Sequence, residues 1–131
     1  MKILVVEDEP VVAELIKRLL EDLGNSCLVA PDADCADRVL RRGGVDAVTL
    51  DLGMPGTGGL QWLERVAALH PELARRTVVI TGMDLEPTTV ELVTRCGAGV
   101  LAKPFSLLDL QEAIRTQVDR PSQQTNVPPL D

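Results

Sequence analysis

Tyrosine is absent from this 131-residue chain, and Trp62 and Phe105 are its only other aromatic residues. An interior built without them must come from Val, Leu, Ile and Ala, which suits the doubly covered strands of a parallel sheet. Tight basic clusters are scarce as well. The arginine pairs Arg41-Arg42 and Arg75-Arg76 stand out, in a chain of formal net charge −7. That balance argues against direct nucleic-acid binding. Cysteine occurs three times, as Cys27, Cys35 and Cys96, with no C-x-x-C spacing. An odd number of scattered thiols points to reduced side chains in apolar settings and a cytoplasmic location. Long apolar runs are missing too. The first run, Ile3-Leu4-Val5-Val6, stops at Glu7-Asp8-Glu9. It is far too short for a signal peptide or a membrane span, so a soluble protein without membrane insertion is expected.

What is present is enough for one ordinary globular domain, with 45% hydrophobic and 25% charged residues. Short apolar runs alternate with longer amphipathic segments, the pattern of repeated strand–helix units in an α/β protein. The strands are expected at Lys2–Val6, Ser26–Ala30, Asp46–Leu50, Thr77–Thr81 and Gly99–Ala102, each apolar on both faces. The first helix starts at Glu9-Pro10 and sets Val12, Leu15, Ile16, Leu19, Leu20 and Leu23 on one stripe before Gly24. Further helices are expected at Ala33–Arg42, at Leu60–Leu69, after Glu86-Pro87 with Val90 and Val93 inward, and from the capping-box pattern Ser106-Leu-Leu-Asp109 to about Asp119. The domain is thus expected over residues 1–119, with 120–131, rich in Pro and polar residues, as a disordered tail or the start of a linker.

In a doubly wound parallel sheet, ligands sit at the carboxyl ends of the strands. Here the first strand ends in Glu7-Asp8, the third in Asp51, the fourth in Thr81-Gly82 and the fifth in Lys103-Pro104. If the first and third strands are neighbours, three carboxylates share a small space. They must then keep protons or bind a cation. Mg²⁺ suits such a set, because it takes carboxylates, a carbonyl, waters and a phosphate oxygen. Thr81 can donate a hydroxyl hydrogen bond, and Lys103 can neutralise an anion. These are the parts of a phosphoryl-transfer site with a carboxylate nucleophile. The stretch Gly56-Thr-Gly-Gly59 lacks G-x-G-x-x-G spacing and no lysine follows it, so it reads as a turn that admits the third helix. His70, the only histidine, reads as an inert surface residue.

The motifs VVEDE, LDLGMPGTGG, VVITG and LAKPF, in this order and at these strand positions, resemble the receiver domain of two-component signalling, the response-regulator family of the CheY-like superfamily, over about residues 1–119. The resemblance implies a flavodoxin-like receiver fold: a single five-stranded doubly wound parallel sheet of order 2-1-3-4-5 with five helices. It implies that Asp51 is the phosphoacceptor, that Glu7, Asp8, Asp51 and the Gly53 backbone carbonyl hold Mg²⁺, and that Thr81 and Lys103 contact the phosphoryl group. A cis Lys103–Pro104 bond is implied as well. The partners it implies are a histidine kinase or phosphotransfer protein and an output protein or domain. Apart from phosphorylating and dephosphorylating itself, such a module is not an enzyme.

The chain departs from the family at two places. Val100 stands where many receivers carry a tyrosine or phenylalanine, and Gly97-Ala-Gly-Val-Leu101 lacks the charges of receivers that dimerise to drive a DNA-binding partner. The sequence is more similar to receivers of hybrid histidine kinases or stand-alone receivers. Two other classes compete: an aspartyl-phosphate phosphohydrolase, which needs a second acid where Gly53 stands, and a degenerate platform, against which the intact acidic and cationic set argues.

Overall fold

Five parallel strands form one sheet in the order β2-β1-β3-β4-β5. The computed structural model describes residues 1–53, 58–82 and 86–120. Residues 54–57, residues 83–85 and the tail expected beyond Arg120 lie outside them. In chain order the elements are β1 (Lys2–Val6), α1 (Pro10–Asp22), β2 (Ser26–Ala30), α2 (Ala33–Arg42), β3 (Ala47–Asp51), α3 (Gly59–Leu69), α4 (Pro71–Arg75), β4 (Thr77–Thr81), α5 (Pro87–Arg95), β5 (Gly99–Ala102) and α6 (Leu107–Asp119). The sheet order and the alternation of elements are those expected. The five-residue α4 is additional to the five expected helices. Proline at its first position supplies helical φ, and Thr77 Oγ1 donates to Leu73 O at 2.8 Å across its end.

The sheet is covered on both faces. Leu4, Val6, Val48, Leu50 and Val79 pack against Ala36, Val39, Trp62, Leu63, Val66, Ala74 and Val93, from α2 to α5. Ile3, Val5, Ala47, Val78 and Ile80 pack against Ile16 and Leu20 of α1 and Leu110 and Ile114 of α6. Burying each such aliphatic side chain contributes roughly 1.5–3 kcal/mol. Trp62, 1% exposed, keeps its indole partnered by donating from Nε1 to Asp37 Oδ1 at 2.8 Å. At the N-termini, Asp32 accepts from Cys35 N to cap α2, and Ser106 and Asp109 close the expected capping box on α6.

Two apolar expectations fail in informative places. Leu15 is 54% exposed, because the buried stripe of α1 runs through Ala13, Ile16 and Leu20 and leaves Leu15 more than a third of a turn to the side. Val90 is 40% exposed, and Val93 is the buried residue of α5. The edge strands β2 and β5 are also only half covered, whereas β3 and β4 are buried throughout.

Candidate functional site

Register, more than any single residue, assembles the site. Val6 pairs with Leu50, so Glu7 and Asp51 leave the carboxyl ends of adjacent strands side by side. Across β4, Thr81 pairs with Ala102, which sets Lys103 at the same rim. Carboxylate oxygens of Glu7, Asp8 and Asp51 all lie within 4.8 Å of one another. Lys103 Nζ stands 3.5 Å from Asp51 Oδ2, while Gly53 N donates to Asp51 Oδ1 at 2.8 Å. A Cβ at Gly53 would come within 3.2 Å of that oxygen, so the missing side chain lets the amide approach. Thr81 is buried at the end of β4, and the Lys103–Pro104 bond is cis. Glu7, Asp8, Asp51 and Lys103 are therefore brought together, and Thr81 ends the strand next to that of Asp51. Gly53 takes part through its amide, a contact the sequence did not suggest.

Like charges at 4.8 Å repel by roughly 3 kcal/mol at an effective dielectric of about 20. One lysine does not offset three such pairs. The strain falls on Glu7, which is 2% exposed. Its Oε2 accepts from Glu9 N at 3.2 Å, but Oε1 is buried without a partner. Burial first, then the hydrogen bond that the protonated form can give Asp51 and the charge of Asp51, push its carboxyl up to about 7, against the opposing pull of Glu9 N–H and Lys103. The unpartnered oxygen, the crowded carboxylates and the all-oxygen donor set fit a hard divalent cation such as Mg²⁺.

This arrangement makes stability depend on pH in a definite sense. The folded value near 7 exceeds the ordinary 4.5, so between them the folded chain holds a proton that the unfolded chain releases. The benefit of that proton is complete below about pH 4.5 and lost as pH rises through 7. In metal-free buffer, urea unfolding should show stability falling by about 2 kcal/mol from pH 5 to pH 8, somewhat less than the full shift implies. Glu7→Gln should flatten that slope, as should Mg²⁺ at high pH. A slope unchanged by Glu7→Gln would place the strain elsewhere.

Comparison with known proteins agrees with this geometry. The family model "Response regulator receiver domain" matches residues 3–115. The response regulator GacA of Pseudomonas aeruginosa is 31% identical over 118 residues, covering 88% of this chain and 54% of that protein; the chain thus spans about half the length of such relatives. Chemotaxis protein CheY-3 of Vibrio cholerae is 32% identical over 116 residues, covering 87% of this chain and 88% of that one. Among solved structures, the response regulator TrrA of Thermotoga maritima, in complex with Mg²⁺ and BeF, superposes with a TM-score of 0.78 at 26% identity, covering 88% of this chain and 97% of that one. A CheY-like receiver domain of Methanospirillum hungatei gives a TM-score of 0.81 at 24% identity, covering 90% of this chain and 93% of that one. No described helix is long and apolar enough to cross a membrane. The chain belongs to the response-regulator receiver domain family of two-component signalling.

Proposed function

We propose that residues 1–119 act in the cytoplasm as a phosphoacceptor module in which Asp51 takes a phosphoryl group from a phosphohistidine donor on a histidine kinase or phosphotransfer protein. The observation that carries this reading is the state of Asp51. Asp51 is 7% exposed, with Oδ1 held by the Gly53 amide and Oδ2 facing Lys103. Oδ2 is then the nucleophile. The P–N bond of the donor breaks as the P–O bond to Asp51 forms, and the imidazole leaves with the electron pair and takes up a proton. Glu7, Asp8, Asp51 and the Gly53 carbonyl would hold Mg²⁺, which supplies charge neutralisation for the transferred group. Lys103 compensates the added negative charge. The Thr81 hydroxyl donates to a phosphoryl oxygen and carries the signal toward α5.

Acetyl phosphate and Mg²⁺ should label the chain with a single phosphoryl group, read by intact mass, and EDTA should prevent it. Failure to label with both acetyl phosphate and phosphohistidine donors would refute the reading. Steady turnover of small phosphate esters is not expected, since the acid that a phosphohydrolase needs is replaced by Gly53.

Lys103→Ala should leave the fold intact, because the lysine side chain is a third exposed. Loss of a charge-assisted contact should weaken beryllofluoride binding by roughly 1.5–3 kcal/mol, about tenfold or more. Calorimetric titration checks this, and unchanged affinity would remove Lys103 from the phosphoryl contacts.

A further inference from the structure

At the pole of the sheet opposite the acidic pocket, the buried face of α6 reads Leu110, Ile114, Gln117. An amide stands where a leucine would complete the apolar stripe. Gln117 is 7% exposed, and its Nε2 donates to Arg75 O at 2.8 Å and to Gly97 O at 2.9 Å. One side chain therefore binds the end of α4 and the turn between α5 and β5 to α6. Arg120 Nη1 adds a second bond to Gly97 O at 2.7 Å.

The backbone is shaped to receive this amide. A Cβ on Gly99 would stand 2.7 Å from Gln117 Oε1, and one on Gly97, at φ +88°, would stand 2.8 Å from Arg75 Cγ. A side chain at Gly99 would displace the Gln117 amide, and one at Gly97 would press on the Arg75 side chain.

The rest of α5 is held far less firmly. Val93 is its buried residue, whereas α3 buries Gly59, Trp62, Leu63 and Val66. Among the described residues no side chain caps the N-terminus of α5 at Glu86. At the other end, Cys96 N, Gly97 N and Ala98 N donate to Leu92 O, Thr94 O and Val93 O, and the clasp lies just beyond. An element with few buried contacts at one end and fixed polar bonds at the other opens from the loose end.

We infer that Gln117, helped by Arg120, is the fixed pivot of α5, confining the conformational response to phosphorylation to the N-terminal part of that helix. The inference rests on the phosphoryl-switch reading above. Gln117 touches neither phosphoryl group nor metal and is a positioning residue. Its two bonds turn a weakly packed helix into a lever hinged at Gly97, with the loose end nearest Thr81.

The test is amide hydrogen exchange with and without Mg²⁺–beryllofluoride, on the full chain, the Gln117→Met variant and the Arg120→Ala variant. In the unaltered chain the response should lie in residues 88–92 and fade before Gly97. In Gln117→Met, which keeps the bulk and loses both donors, it should extend through residue 99 and into 72–76, with exchange at Gly97–Gly99 faster by about tenfold even without the ligand. Arg120→Ala, losing one donor from an exposed side chain, should do the same more weakly, and it carries the test if Gln117→Met fails to fold. Beryllofluoride should still bind both variants. A response spread evenly along α5 in the unaltered chain, or variant profiles identical to it, overturns the pivot while leaving the switch intact. No response at all in the unaltered chain would sink the switch reading and the pivot with it.

Discussion

Asp51→Asn should abolish phosphorylation by either a phosphohistidine partner or acetyl phosphate, to below detection in a phosphate-affinity gel. The amide keeps the shape of the carboxylate and can still accept from Gly53 N, so the fold should survive. On the proposed reading the variant loses the nucleophile, because an amide oxygen carries too little charge to attack phosphorus and displace the leaving group. Removing one negative charge should also relax Glu7. The hydrogen bond that protonated Glu7 can give Asp51 and the charge of Asp51 are two of the causes that raise its carboxyl to about 7. The variant should then be at least as stable as the parent above pH 7 in metal-free buffer. Together these results separate lost chemistry from lost structure. Labelling that persists in a folded Asp51→Asn protein would mean that another residue accepts the phosphoryl group.

How far the sequence reaches is visible residue by residue. Asp51, Glu7, Asp8, Thr81 and Lys103 are legible because each interrupts or directly follows a short apolar strand, and a parallel sheet brings all strand ends to one rim. The capping box Ser106–Asp109 is legible because it is local chemistry between residues three apart. By contrast, Leu15 and Val90 fit an inward helical stripe in the sequence, yet both are exposed. A period of 3.6 fixes which residues share a face, but how wide a strip is covered depends on neighbours distant in the chain. Gln117 has no local signature at all. Its partners are the carbonyls of Arg75 and Gly97, and a glutamine in a helix reads as a solvent-facing residue until the fold closes around it. The orphaned oxygen of Glu7 is equally silent, since it results from burial.

The exposed residues of α1 carry the second large effect. Val11 is 81% exposed and Leu15 54%; they lie four residues apart, hence one turn along the same face. Leu108, in the first turn of α6, is 72% exposed, and α1 and α6 cover the same face of the sheet. Because α1 begins at Pro10, directly after Glu7-Asp8-Glu9, this apolar surface borders the acidic site. A histidine that delivers its phosphoryl group to Asp51 must come within bonding distance of a buried carboxylate, so the element carrying it must lie across the rim. A donor helix with apolar residues at matching i, i+4 spacing would rest on Val11 and Leu15 and present its histidine to the pocket. Leu15→Glu together with Val11→Glu should slow transfer from a phosphotransfer domain that labels the unaltered chain by about 30-fold, the loss of roughly 2 kcal/mol expected of a central interface contact. Acetyl phosphate, too small to touch α1, should label the double variant at close to the unaltered rate. Equal slowing with both donors would point to damage at the site, and unimpaired transfer from the protein donor would show that it docks on a different face.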